Sequence, residues 1–285
     1  MKHATNTGLN MVVYRAMLKL NSVLDLTAVF LLLSLGVSHA QDTSSPAPAL
    51  DVYDGFETPA LSKVWSDDRF APGAVRMQTN IVRSGRSAVE ITVRAHDKFE
   101  AGINGNSDSE RAELLEARKL TSKENEPYEF SFSMFMPTNF PIVPTRLVIA
   151  QWKQYCPEGG NCSDDSPVLA IRYISGVLKI TQDLGKHQTV LYQEPGEFRG
   201  RWLDFKFQIR FSSNGNGHIK AWLGDKRIAD YHGVTANSEN AATSYPSPSR
   251  FYFKMGLYRN VMAEPMTIYI DEYRKKQLPD TIFSP

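Results

Sequence analysis

The chain has 285 residues, 42% of them hydrophobic, and a formal net charge of +1. That is enough apolar material for one large domain with a real core, and too little net charge to draw the chain to nucleic acid, so any attraction for an anionic ligand must be local. The N-terminal apolar run 26–37 is too short to span a bilayer, follows Arg15 and Lys19, and ends in Ser38-His39-Ala40, a small-x-small cleavage pattern. We read residues 1–40 as a signal peptide of a secreted or periplasmic protein. Asp25 is atypical at the edge of the run, Met11 or Met17 would serve as alternative starts, and a short membrane anchor is the competing reading.

Residues 41–50 are small, polar and Pro-rich, as a linker would be, and the folded domain is expected over 51–285. From Asp51 onward, short runs rich in Val, Ile, Phe and Tyr recur at 87–95, 128–136, 146–154, 168–174, 177–183, 202–211, 218–224, 251–258 and 266–273, separated by Gly, Pro, Asn and Ser. No 3.6-residue periodicity is sustained and no fixed-length repeat appears. The pattern predicts an all-β sandwich, best of all a jelly roll.

Successive side chains of a strand point to opposite faces, so each run is read one face at a time. In 110–115, Arg111 and Glu113 share a face opposite Ala112 and Leu114. In 147–153, Leu147, Ile149, Gln151 and Lys153 share one, with Val148, Ala150 and Trp152 opposite. In 251–258, Phe251, Phe253, Met255 and Leu257 lie against Tyr252, Lys254, Gly256 and Tyr258. One face packs. The other carries Arg, Gln, Lys and Tyr, which suit carboxylates and sugars. Cys156 and Cys162 lie downstream of the export signal, where a disulfide is permitted, and no metal-ligand spacing surrounds them. Their loop is expected to border one end of a cleft.

Three segments, Arg111-Ala112-Glu113-Leu114, Ala150-Gln151-Trp152-Lys153 and 252–258 (YFKMGLY), resemble the R-x-E-L, Q-x-H and Y-F-K-x-G-x-Y motifs of jelly-roll polysaccharide lyases: the alginate lyases, glucuronan lyases and heparin lyase I-like proteins. Residues 200–204 with 217–222 are similar to a strand pair of concanavalin-A-like sandwiches, so the fold implied is a concanavalin-A-like β-jelly roll. The resemblance runs from about Asp54 to Asp271, and its force lies in three motifs in the right order. The chain departs from it at Lys153, which stands where the family has a histidine.

The resemblance implies a lyase cleaving a uronic-acid polymer by β-elimination. Such a reaction needs cationic or amide donors to neutralise the uronate carboxylate, and a base to take the C5 proton. Arg111 and Gln151 are the candidates for neutralisation, with Lys153 or Asn104 as helpers. Tyr258 is the candidate base, with Lys254 and Arg111 near enough to favour its phenolate. Glu113, Asn104, Tyr252 and Arg259 are candidate substrate-binding residues. In glucuronate and mannuronate the C5 proton and O4 lie on one side of the ring, so one tyrosine would suffice, and the missing histidine favours such a substrate. His96 and His187 are stand-ins for the base.

Two other readings stay open. Asp108, Glu110 and Glu113 invite a glycoside hydrolase, although strand alternation separates Glu113 from the other two. The same polar face could also hold a polyuronate without cleaving it, and singly the pair Arg111 and Glu113 reads as an ordinary surface ion pair. Asp54, Glu57 and Asp271, near the two ends of the domain, are candidates for a structural Ca²⁺, or plain edge charges. No cofactor is expected for the chemistry. The expected partner is an anionic polysaccharide, with no nucleic acid, no membrane after signal cleavage, and a monomeric state.

Overall fold

A computed structural model of the protein describes residues 49–66, 70–97, 109–157, 162, 167–185, 187–238 and 245–283. The signal peptide, most of the linker, Asn104 and Asp108 lie outside the described residues. Among the described residues, fifteen strands follow one another: β1 (Asp51–Asp54), β2 (Val75–Gln78), β3 (Ala88–Val93), β4 (Ser109–Leu115), β5 (Ser122–Lys123), β6 (Pro127–Phe135), β7 (Leu147–Gln154), β8 (Leu169–Ile174), β9 (Val177–Leu184), β10 (His187–Pro195), β11 (Trp202–Arg210), β12 (Gly217–Leu223), β13 (Lys226–Gly233), β14 (Arg250–Asn260) and β15 (Met266–Gln277). The only helical elements among the described residues are two short 3₁₀ turns, Arg118–Leu120 and Asp280–Phe283.

The strands form two antiparallel sheets. One has the order β13-β12-β11-β6-β15-β3-β2, with β1 also on β15; the other runs β10-β9-β8-β7-β14-β4, with β5 on β14. All nine runs expected from the sequence are strands, and β11 pairs β12 as expected for the segments 200–204 and 217–222. This is the jelly-roll sandwich.

Alternation explains the layering. In β14, Phe251, Phe253, Met255 and Leu257 are fully buried and belong to the core between the sheets, while Tyr252, Lys254 and Tyr258 are half-buried on the other face. Phe253 meets Trp152 of β7 at 4.9 Å between ring centroids, and Phe130 and Phe132 of β6 at 5.6 and 5.5 Å. Trp152 also meets Phe207 of β11 at 4.7 Å. Aromatic side chains from both sheets therefore interlock, each contributing large apolar area in tilted geometry.

Two charged pairs are sealed into the sandwich, Arg259 with Glu110 and Lys275 with Glu116. Lys275 Nζ lies 2.7 Å from Glu116 Oε1, and both side chains have no exposed surface. Tyr273 Oη donates to the same oxygen at 3.2 Å, and the Phe253 amide donates to Oε2 at 3.3 Å. Burial pushes Glu116 up and Lys275 down, each towards its neutral form, while their mutual attraction and these hydrogen bonds oppose it. Two charges of this kind hold only as a pair.

Register is set by β4, β14 and β7. Lys254 stands opposite Leu115, Gly256 opposite Glu113, and Tyr258 opposite Arg111. Gly256 has φ +146°, and a Cβ there would lie 2.3 Å from the Ala112 carbonyl oxygen. The mid-strand glycine thus marks a close approach of the β4 backbone.

In β7 the expected alternation breaks. A register shift between Val148 and Ala150 against β8, matched by one between Met255 and Tyr258 against β14, moves Ile149 into the core and leaves Val148 outside the core cluster, opposite Tyr258. One extra residue in one of two paired strands has this effect.

Two outcomes follow for stability. Lys275→Met leaves Glu116 buried alone and lowers unfolding free energy by about 3–5 kcal/mol, whereas Glu116→Gln/Lys275→Met loses less than the single change; denaturant titration distinguishes them. Gly256→Ala costs about 1–3 kcal/mol in the same measurement, because the added methyl must displace the β4 backbone at an unfavourable φ.

Candidate active site

Cross-strand pairing brings the three sequence motifs onto the open face of the β14-bearing sheet. One row across the strands reads Arg111, Tyr258, Val148, Arg172 and Lys179, each opposite the next. A second reads Leu115, Lys254, Gln151, Ala170 and Thr181. Glu113, opposite Gly256, lies between the two rows.

The Tyr258 ring is held by two guanidinium groups. The Arg111 Cζ lies 4.2 Å from its centroid and the Arg146 Cζ 4.8 Å. Cations over an aromatic face are attracted to its quadrupole, and here they also concentrate positive charge beside a phenol. Nε and Nη2 of Arg146 are buried without a hydrogen-bond partner, an arrangement that buried donors rarely show. No sequence motif pointed to Arg146. It precedes β7 by one residue and shares the parity of Val148, so only the register shift reveals that it belongs on this face.

Beside the tyrosine sits a second group. Glu113, 6% exposed, accepts a hydrogen bond at Oε1 from Gln151 Nε2, while Lys254 Nζ is 4.0 Å from Oε2, which has no hydrogen-bond partner. Gln151 and Lys254 therefore lean along the face towards Glu113 and the tyrosine row. Farther across the sheet, Arg172 is neutralised by Asp183 at 2.9 Å and donates to Thr181 Oγ1 at 3.0 Å. Lys179 has no such partner among the described residues. Arg111, Arg146 and Lys179 are thus three cations of one face that no carboxylate of the described residues neutralises.

Other expected residues fall elsewhere. Arg259 is fully buried on the core side, paired with Glu110 at 2.8 Å and donating to the carbonyls of Glu264 and Met262, so it is not on the substrate face. Its position in β14 shares the parity of Leu257, and burial lowers its affinity for the proton against the opposing pull of Glu110. Lys153 is on the open face but stands opposite Tyr252, six residues along β14 from Tyr258, or about 20 Å at ordinary strand rise. His187 opens the exposed edge strand β10. His96 is exposed beside β4: its amide donates to Glu110 Oε1 at 2.5 Å, and the next residue's carbonyl accepts from the Arg111 amide at 3.1 Å.

Of the carboxylates that the hydrolase reading invoked, the two among the described residues do not converge. Glu110 is tied to Arg259 in the core, and Glu113 is tied to Gln151. Nor do Asp54, Glu57 and Asp271 suit a calcium ion. Asp54 accepts from the Phe56 amide, Ser62 Oγ and Trp65 Nε1; Glu57 from the Arg86 and Ser87 amides; Asp271 from the amides of Arg83, Ser84 and Glu272. Their oxygens face donors, and among the described residues no group of three or more His, Cys, Asp or Glu could hold a metal ion. Cys156 and Cys162 are joined in a disulfide just after β7. No helix among the described residues is long and apolar enough to cross a membrane.

Comparison with known proteins bears on the fold and on the family. None of the curated proteins matches the chain. Among solved structures it is similar to an endo-β-1,4-glucuronan lyase from the fungus Trichoderma reesei, with 20% identity and a TM-score of 0.59 over 75% of this chain and 91% of that one. A GH131 β-glucanase catalytic domain from Podospora anserina is similar at 14% identity and a TM-score of 0.51, over 75% and 84% of the two chains. At these identities the likenesses speak for the sandwich fold alone. The model of the polysaccharide lyase family matches residues 51–274, and the chain therefore belongs to that family, as an enzyme acting on a polysaccharide.

Proposed function

We propose that this lyase is exported as a monomer, loses residues 1–40, and cleaves a glucuronate- or mannuronate-type polymer by β-elimination. The observation that carries the reading is Tyr258 held between Arg111 and Arg146, at 4.2 and 4.8 Å, with Gln151, Glu113 and Lys254 alongside. Export is supported by the N-terminal segment and by the disulfide, which forms stably in an oxidising compartment.

In this reading the uronate carboxylate lies against Arg111 and Arg146, whose positive charge and unpartnered N–H groups stabilise the enolate that forms as C5 loses its proton. Tyr258 takes that proton. The electron pair of the C5–H bond becomes the C4–C5 double bond, the C4–O4 bond breaks, and Tyr258 returns a proton to O4. Glu113 is a positioning residue that holds Gln151 and Lys254 towards the reacting sugar. One group suffices when proton and leaving oxygen are on the same side of the ring, and Lys153 is too far along the sheet to act as a second base opposite Tyr258.

The polymer would lie along the row from Arg111 to Lys179. Lys179 is three strands from Tyr258, about 14 Å at ordinary strand spacing. An oligosaccharide of several residues would be needed to reach it.

Two measurements test this. Wild-type protein should release products with unsaturated, ultraviolet-absorbing uronate ends from glucuronan or polymannuronate and not from polyguluronate or heparin. Tyr258→Phe should lose about 10²-fold or more of that rate, and His96→Asn far less. A preference for polyguluronate, or equal losses in the two variants, overturns same-side elimination; retention of the polymer without thinning its solution identifies a binding protein instead. Lys179→Ala should raise KM for the long polymer by up to about fivefold with kcat unchanged, and leave a trisaccharide substrate unaffected.

A further inference from the structure

The outer face of the opposite, eight-stranded sheet has an unusual surface. One of its rows reads Tyr53, Arg274, Ser131, Lys206 and Trp222 across β1, β15, β6, β11 and β12. A parallel row reads Trp202, Phe135 and Tyr269, with Phe135 5.6 Å from Trp202 and 6.1 Å from Tyr269 between centroids. Tyr53 is 56% exposed and the other four aromatics are half-exposed. Outward positions of a sandwich normally carry small polar or charged residues, so five aromatics on one solvent face call for a ligand.

Between the two rows is a basin of about 430 Å³, lined by Tyr53, Arg83, Ser131, Asp204, Glu272 and Arg274 among others. It is built rigidly. Asp271 is fully buried and accepts the amides of Arg83 and Ser84, which holds that loop at the rim. The register of β15 shifts between Asp271 and Arg274, and Glu272 there adopts φ +57°. A non-glycine residue in the left-handed region at a bulge is a costly way to aim a side chain, and it aims this one at Tyr53, whose hydroxyl donates to Glu272 Oε1 at 2.8 Å. The Tyr53 ring in turn closes on Gly55, where a Cβ would lie 2.5 Å from the Tyr53 hydroxyl oxygen.

Most charged side chains of this face are paired with one another, while Lys206 lies 4.4 Å over the Trp222 ring and Glu272 accepts from Tyr53. Arg83 forms a two-pronged pair with Asp204 at 3.0 Å on each arm, Arg274 does the same with Asp51 at 3.0 and 2.6 Å, and Lys276 meets Glu129 at 2.9 Å. Arg111, Arg146 and Lys179 on the other sheet have no such partners among the described residues. A uronate therefore gains nothing here that it would not gain better in the active face. An uncharged sugar does gain: its apolar ring face stacks on aromatics, and its hydroxyls both donate to and accept from ion-paired side chains.

We propose that the outer face of the eight-stranded sheet is a second, non-catalytic binding surface for a neutral glycan, with Tyr53 and Trp222 as stacking residues and the Arg83–Asp204 basin as the hydroxyl-binding floor. It would tether the protein to an uncharged polysaccharide while the opposite sheet works on a charged one.

The test is affinity electrophoresis of the mature chain in gels containing hydroxyethyl cellulose, xyloglucan, mixed-linkage β-glucan or glucomannan. The expected result is retardation in at least one of them, weakened about tenfold or more in Tyr53→Ala/Trp222→Ala and unchanged in Arg111→Ala. Tyr53→Phe, which keeps the ring and the fold, should retain most of the retardation, and thermal unfolding checks that the double variant is folded. The proposal is overturned if no neutral glycan retards the wild type, if the double variant is retarded equally, or if Arg111→Ala abolishes the effect.

Discussion

The contact on which the catalytic face depends is the close approach of two backbones at Gly256. Because no side chain intervenes, β14 presses against β4 where a Cβ would meet the Ala112 carbonyl at 2.3 Å. That contact sets Glu113 beside Gly256, and the same pairing sets Arg111 opposite Tyr258 and Lys254 opposite Leu115. A slip of one residue would send Arg111 and Glu113 to the core and bring Ala112 and Leu114 out, since strand side chains alternate with a period of two. The hydrophobic layer guards against such a slip. Phe253, Met255 and Leu257 are fully buried against the other sheet, and the catalytic candidates occupy the positions between them.

That logic also shows how far the sequence could be read. Alternation in β14 and β4 was legible because both strands keep strict parity, with large apolar residues on one side. The same rule applied to 259 would have grouped Arg259 with Leu257 and the core; its charge suggested the substrate, while Glu110, at the inward position across the ladder, was there to receive it. In β7 the rule failed at Ile149, because a register shift is not visible in a run of four consecutive apolar residues. Arg146 was lost with it. The strands β10 and β13 escaped notice since they are edge strands, largely exposed, whose polar residues carry little period-two signal. The carboxylates near the two ends suggested a cation from their placement in the chain, whereas backbone amides, Ser62 and Trp65 are the donors that face them.

The two faces of the sandwich differ in how they treat charge. On the outer face of the eight-stranded sheet, arginines and carboxylates close on one another in forks, which leaves hydrogen-bonding edges but little net field. On the other sheet, Arg111, Arg146 and Lys179 have no neutralising carboxylate among the described residues, and a polymer with a negative charge on every sugar would be drawn to them even though the chain as a whole is nearly neutral. Between them lies an apolar layer whose sealed charge pairs, Lys275 with Glu116 and Arg259 with Glu110, are each closed on themselves. Each sheet can therefore be specialised without disturbing the other.

Arg146 carries the sharpest consequence of this division. Two buried guanidinium donors without partners cost on the order of 1–3 kcal/mol each when nothing accepts from them. The core shows that this fold can satisfy buried charge where it must, since Lys275 is given a carboxylate, a carbonyl and two aromatic faces. Leaving Arg146 unsatisfied, directly over the Tyr258 ring, holds that cost in the free protein at the one point where a carboxylate acceptor would relieve it. In the proposed elimination, binding would gain from the carboxylate that arrives, and the gain would grow as the C5–H electron pair moves into that carboxyl group on forming the enolate. A donor already satisfied by a protein carboxylate, as Arg172 is by Asp183, has no such reserve to give.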